Sequence, residues 1–542
     1  MKTKDLIAKR NRREQARLRW ERNEEKQKQS VSKAEEEEYI LPSGFSDAVL
    51  AEVDRLPITS VTEEEILRRR DMRDALTFTI DPDDAKDFDD ALSFEALDNE
   101  HYRVGVHIAD VTHYVKEGSA LDDEAYMRGT SIYLVGKVIP MLPERLSNEL
   151  CSLRPHEDKL CMSVVFEVDR QGHVLKTKIC RTVICSDYRL TYQQAQDLLD
   201  NPNSDCADNM AALRTALQTL NEIAKIWRAA RFRHGAINFE SPEVHFHLDE
   251  LGHPTGVYYH RAVDTNRLIE EWMLTANRTV ATEMGRPRNK EEQRVRPKPF
   301  VFRVHDVPDP EKLGKLSHFI QRFGFNLRTG KNRSATNKQI NSLLATCKGK
   351  DCQTLIETLT IRAMAKAVYS TENIGHYGLA FPFYTHFTSP IRRYPDMMVH
   401  RLLSHYLMHS KDECRTDGEA LEEACIHCSA MELSAQMAER DSIKEKQAEW
   451  MENHIGEIFD GVISGVTEFG LFVQLNDTLA EGLIPLRTIE PYDYVHYDED
   501  NYCIVAARSG NRYTLSDPVC VRVVRVDVEK HQINFALIGN EE

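Results

Sequence analysis

Between Thr79 and Asp90 the chain reads Thr-Ile-Asp-Pro-Asp-Asp-Ala-Lys-Asp-Phe-Asp-Asp, setting Asp81, Asp83, Asp84, Asp87, Asp89 and Asp90 within ten residues between two strand-like apolar runs. Crowded carboxylates raise one another's pKa unless a cation or a basic group compensates. The segment is therefore either a solvated turn or a metal-holding catalytic loop. No His or Cys stands between positions 77 and 95, so the donors are all oxygens and favour a hard cation, magnesium or manganese, over zinc. An EF-hand reading fails on spacing: counted from Asp81, the sixth position is Lys86 rather than Gly and the twelfth is Leu92 rather than Glu. Four carboxylates meeting between strands suit two metals instead, one activating water and the other steadying the leaving oxygen in phosphodiester hydrolysis.

Composition bounds what such a loop can serve. A chain of 542 residues exceeds one ordinary core and predicts a large catalytic domain with at least one accessory domain. No apolar run approaches the roughly 20 residues that cross a bilayer, and the charged amino terminus does not read as a secretory leader. Twelve cysteines without a disulfide-framework spacing fit a reducing cytoplasm. Cys425-Ile-His-Cys428 has zinc-like spacing but no second pair nearby, and packing within a helix is its simpler reading. The net charge of −17 argues against a generic nucleic-acid coat, yet a groove depends on local Lys and Arg rather than on the total.

Five stretches differ in texture. Residues 1–40 are almost wholly charged or Gln and read as a solvated helix or disordered arm, with RNA contact by its basic runs as the functional alternative. Residues 41–75 read as a helical connector. From 76 to 405 strand alternation, as in 101–110, mixes with amphipathic helices at 208–233, 264–284 and 353–370, which gives an α+β catalytic domain. Residues 406–455 continue as helix. Residues 456–538 change to short alternating strands with Gly turns, the pattern of a small OB-fold barrel.

The loop from Thr79 to Ala91 resembles the signature of the RNB domain of the RNase II and RNase R exoribonucleases. The same family's motifs follow in order: His107-Ile108-Ala109-Asp110-Val111, the Pro140 to Leu153 segment Pro-Met-Leu-Pro-Glu-Arg-Leu-Ser-Asn-Glu-Leu-Cys-Ser-Leu, and the Tyr384 to Asp396 segment Tyr-Thr-His-Phe-Thr-Ser-Pro-Ile-Arg-Arg-Tyr-Pro-Asp. The last is closer to RNase R, and the barrel resembles an S1-type RNA-binding domain. The resemblance spans about 76 to 538. It implies a funnel-like RNA channel and processive, magnesium-dependent hydrolysis of single-stranded RNA from a free 3′ end to nucleoside 5′-monophosphates.

By position, Asp81, Asp87, Asp89 and Asp90 match the family's catalytic and metal-holding aspartates, while Asp83 and Asp84 fall outside that set. Arg392 matches the arginine on the scissile phosphate, a role that suits a planar fork of donors. Arg393 is a further candidate for RNA contact. Tyr133 and Tyr192 match aromatic residues near the RNA 3′ end, and Phe239 matches a clamp opposite Tyr133. Of the helical neighbours Glu270 and Glu271, only one can point well into a nucleotide channel, and Glu270 is the choice, with a surface salt bridge as its ordinary alternative. His386 and His400 read as hydrogen-bonded scaffolding. On the barrel the aromatic candidates are Phe469, Phe472 and Tyr492, although Phe472 suits the core equally.

Residues 1–75 lack the alternating strands of the cold-shock domains that usually precede the RNB domain in bacterial relatives. A short member, a fragment, or an upstream partner on another chain would each account for this. Two rival readings stay open: a non-catalytic RNA-binding regulator with the same fold, and an endonuclease using the same metals. The intact aspartate set and Arg392 favour the exonuclease.

Overall fold

The computed structural model describes residues 22–27, 29–30, 41–57, 61–201, 208–237, 243–285, 298–327, 333–350, 352–408, 417–489, 493–498 and 503–538. Phe239, Tyr492 and most of the charged arm lie outside these residues.

The catalytic frame is a seven-stranded sheet. Its members are β1 (Arg70–Asp71), β2 (Leu76–Asp81), β3 (Asp90–Ala96), β4 (His101–Ala109), β7 (Asp158–Asp169), β8 (Val174–Cys185) and β9 (Tyr188–Thr191), in the order β1-β8-β7-β4-β3-β2-β9. A small hairpin of β5 (Ile132–Leu134) and β6 (Lys137–Ile139) stands apart from it. Alternation places Val104, Val106 and Ile108 of β4 in the core, and β7 is buried on both faces from Lys159 to Phe166. The connector over 41–75 is helical at Asp47–Asp54 and Glu63–Leu67 and then supplies β1, which pairs in parallel with β8.

Helices Asp208–Arg233 and Asp264–Gly285 pack together against this sheet. Fully buried Trp272 joins the layers: its ring lies 6.1 Å from Phe166, and its indole N–H donates to the Leu220 carbonyl at 3.2 Å. Strands β10 (Glu243–Leu248) and β11 (Pro254–His260) form a separate hairpin between these helices in sequence. The helix expected over 353–370 stops at Ala363, because Val368–Ser370 (β13) pairs instead with Phe302–Val304 (β12).

A single helix, Gly418–Glu452, leads from the catalytic domain to the barrel and is capped by Asp417, whose side chain accepts from the Glu419 N–H. The barrel closes in the order β14 (Ile458–Thr467), β15 (Gly470–Leu475), β16 (Glu481–Pro485), β21 (Gln532–Leu537), β20 (Pro518–Asp527). Between β16 and β20, β17 (Val495–Asp498), β18 (Cys503–Ala506) and β19 (Arg512–Thr514) make a small sheet of their own. Gly470 opens β15 at φ +145°, where a Cβ would stand 2.1 Å from the Ile484 carbonyl oxygen, so no larger residue fits. The core divides in two: one cluster fills the sheet and its helices, and the other joins Leu313, Ile340, Ile356 and Met451 to the barrel's Ile463, Leu471, Val473 and Phe535.

Candidate active site

The β2–β3 pairing brings the acidic loop's ends together. Leu76 opposes Phe94 and Phe78 opposes Leu92, so Asp81 at the end of β2 and Asp90 at the start of β3 sit at one edge. The loop between them is fastened from within. Ser152 accepts from the Phe88 N–H at 3.0 Å and donates to the Lys86 carbonyl at 2.8 Å, and the Leu153 N–H donates to the Phe88 carbonyl at 3.0 Å. The Pro140 to Leu153 motif thus acts on the loop through its last residues. Asp83 and Asp84 are exposed, and Arg189 holds that turn through the carbonyls of Pro82 and Asp83, each at 2.7 Å.

Asp89 receives the arginine segment. Its Oδ1 accepts the Ile391 N–H at 2.9 Å, and its Oδ2 lies 3.5 Å from the Arg392 Nε. Arg392 also donates to Ser389 Oγ at 3.0 Å, while its side chain keeps 41% exposure. The segment is oriented by Asn277 on helix Asp264–Gly285, whose Oδ1 accepts the Phe387 N–H at 2.9 Å. Nothing in the local sequence marked Asn277 or Ser152 for these roles.

Two tyrosines border the aspartates. Asp81 pairs with Thr191 in the β2–β9 register, and Thr191 caps the helix whose first residue is Tyr192, so Tyr192 stands beside the carboxylates. Tyr133 on β5 lies beside Asp87 and in the field of Arg392. The strand that carries it is held by the long helix: Glu439 accepts the Tyr133 N–H at 3.0 Å, and Ser442 accepts the Val135 N–H at 3.0 Å. Glu439, which the sequence reading did not single out, is an acidic neighbour of Arg392.

Burial pushes all four matching aspartates above the ordinary carboxylate range. The charge of Asp90 adds to the rise at Asp81, and Asp87 and Asp90 add to it at Asp89. Arg392 opposes the rise at Asp87, Asp89 and Asp90 without cancelling it. Asp110, of the His-Ile-Ala-Asp-Val motif, is different. Burial would raise it as well, but Arg69 at 2.7 Å and Arg181 at 3.5 Å hold it below the usual range in a structural ion cluster.

The donor chemistry fits hard dications. Among the described residues the buried Asp81 Oδ2 has no hydrogen-bond partner, and Arg189, Arg392 and Arg393 offset the crowding of the carboxylates only in part. No three His, Cys, Asp or Glu among the described residues stand together as a ready-made cage. Cys425 and Cys428 are buried free thiols of the long helix.

Two of the expected RNA-contact residues have ion-pair partners in the structure. Arg393 follows a turn at 390–392 and pairs with Asp396 at 2.8 Å, while its charge also reaches Asp90. Glu270 makes the surface salt bridges that were its ordinary alternative: Arg228 lies at 3.3 Å and Arg231 at 3.2 Å, while Glu271 is buried against Arg231. His386 and His400 do act as scaffolding, His386 with the Tyr369 hydroxyl at 2.8 Å and His400 with the Phe387 carbonyl at 2.8 Å. On the barrel Phe469 is 68% exposed beside a cleft of about 450 Å³ shared with Arg487 and Tyr494, whereas Phe472 is half-buried against Gly465.

Comparison with known proteins matches residues 69–409 to the RNB domain and residues 452–538 to the S1 RNA binding domain. The chain is 40% identical to ribonuclease R of Thermotoga maritima over 506 residues, 92% of this chain and 69% of the relative. Its fold is similar to Mycoplasma genitalium RNase R solved with ribose-methylated single-stranded RNA, at a TM-score of 0.83 and 27% identity, covering 92% of this chain and 76% of that one. The same enzyme solved with double-stranded RNA gives a TM-score of 0.78 at 26% identity, covering 95% and 83%.

Proposed function

The chain belongs to the RNB family as a 3′-to-5′ exoribonuclease of the ribonuclease R type, and from that premise we propose that it degrades single-stranded RNA processively to nucleoside 5′-monophosphates. Asp81, Asp87, Asp89 and Asp90 hold two divalent ions in this reading, magnesium or else manganese, and Arg392 binds the scissile phosphate. The substrate is RNA with a free 3′ end. The setting is the cytoplasm, in keeping with the free thiols; among the described residues no helix is long and apolar enough to cross a membrane.

One observation carries the reading: Arg392, reaching across the sequence to Asp89, keeps an exposed guanidinium edge in the field of Asp87, Asp89 and Asp90. The chemistry that bound dications supply is a water activated at neutral pH and stabilisation of the leaving oxygen. Arg392 contributes donors in a planar fork, fixed by Asp89 and Ser389 before substrate arrives, so little reorganisation accompanies charge development on the phosphate. Tyr133 and Tyr192 offer rings beside the same carboxylates, where terminal bases stack without regard to sequence. The barrel adds backbone and base contacts farther along the strand through Phe469, which reduces escape between steps.

The test is 5′-labelled single-stranded RNA incubated with magnesium and with either the parent or Asp89→Asn. Progressive shortening to a small end product by the parent alone supports the reading. Equal inertness of both proteins assigns the chain to the non-catalytic regulators, and a ladder of internal products assigns it to the endonucleases.

A further inference from the structure

The β10–β11 hairpin has two faces of opposite character. On one, the Tyr259 hydroxyl donates to the Asn476 carbonyl of the barrel at 3.3 Å, and Leu248 meets the β5–β6 turn so closely that a Cβ at Gly136 would stand 2.7 Å from its Cδ1. The hairpin therefore bridges the barrel and the small hairpin that carries Tyr133. Strand alternation turns the other face away from these contacts. There the register sets His245 opposite Tyr258 and His247 opposite Gly256. The Tyr258 ring lies 5.5 Å from the His245 imidazole at 25° and 4.4 Å from that of His247 at 24°. His247 leans over Gly256, where a Cβ would stand 3.4 Å from its Cδ2. Both imidazoles are exposed, and Tyr258 keeps 42% exposure.

A hairpin face turned to water needs only polar side chains. Three near-parallel rings instead present π surface, which stacks on any base. We propose that the His245–Tyr258–His247 ladder is a binding platform for single-stranded RNA, receiving bases farther from the 3′ end than those at Tyr133 and Tyr192. The occupant follows from continuity: the hairpin touches the barrel at one contact and the Tyr133 hairpin at another, so a strand running between them passes along it. The proposal rests on the single-strand exonuclease reading above.

The test uses the full chain in EDTA, so that RNA is bound and not cut, with fluorescently labelled single strands of about 4 and about 16 nucleotides. Tyr258→Ala is expected to weaken the longer strand about 10-fold and leave the shorter unchanged, and Tyr258→Phe is expected to restore the parent's affinity. The double variant His245→Ala with His247→Ala should show a smaller loss, again confined to the longer strand. Parent-like binding of the longer strand by Tyr258→Ala overturns the platform, as does an equal loss on both strands or a loss seen only with duplex RNA. A parent that binds neither strand overturns the nuclease reading itself, and the platform with it.

Discussion

At the aspartate centre the chain buries charge and uses its hydrogen bonds to fix it, whereas at the barrel it leaves Phe469 and Tyr494 in water on a frame of apolar strands. The difference follows from what each region must do. Chemistry on a phosphate needs groups already in place, and their mutual repulsion is the cost of having them there. Capture of a moving strand needs accessible ring faces and tolerates loose geometry. Substitutions in the two regions should therefore separate turnover from binding.

Arg392→Ala is the sharpest way to break that comparison. It is expected to lower the single-turnover rate by about 10²–10³-fold, measured as shortening of a 5′-labelled strand. Affinity for a long strand in EDTA should change far less, because the barrel is untouched. A parallel loss of both would show that the centre also captures RNA. Phe469→Ala should do the reverse, weakening a long strand by about 5–10-fold while a strand of about 4 nucleotides is cut at the parent's rate. That affinity should also fall steeply as salt rises, and indifference to salt would remove the phosphate contacts from the account.

A third variant asks how firmly the loop must be held. Ser152→Ala deletes both hydroxyl bonds, leaving the Phe88 N–H and the Lys86 carbonyl without that partner, at about 1–3 kcal/mol of stability. The lost fastening should also slow turnover without weakening long-strand binding. Denaturant unfolding monitored beside the single-turnover assay checks both, and an unchanged rate would free the loop from its dependence on Ser152.

How much of this was legible varies with the distance over which each feature acts. The acidic loop could be read because its carboxylates are neighbours in sequence and its flanking strands alternate plainly. The barrel was legible for the same reason. Arg392 came only through the family resemblance, since no local pattern reports a contact between residues as far apart as Asp89 and Ile391. Ser152, Asn277 and Glu439 stayed hidden because a lone Ser, Asn or Glu has no signature until folding gives it a backbone N–H to accept. Arg393 and Glu270 show the converse limit. Adjacent residues share a motif and yet part company in space, and the partners that claim them, Asp396, Arg228 and Arg231, are set by tertiary packing. The early end of helix Gln353–Ala363 has the same origin, for Val368–Ser370 belongs to a strand only once Phe302–Val304 lies beside it.

The smallest effect probes the repulsion directly. In the unfolded chain Asp90 has an ordinary carboxylate pKa and is ionised at neutral pH; in the folded chain burial raises that pKa, so the folded state without metal is destabilised at pH values above the unfolded one. Asp90→Asn removes that charge. In EDTA at neutral pH the variant should therefore melt about 2 °C above the parent, although it has lost a catalytic group. Adding magnesium should reverse the order, because binding to the native state stabilises the parent while the variant has one carboxylate fewer to offer. Scanning calorimetry of the full chain with and without magnesium reads this crossing. A variant that melts below the parent in EDTA would mean that Asp90 is stabilising in the folded chain even without metal, and that burying its charge carries no net cost.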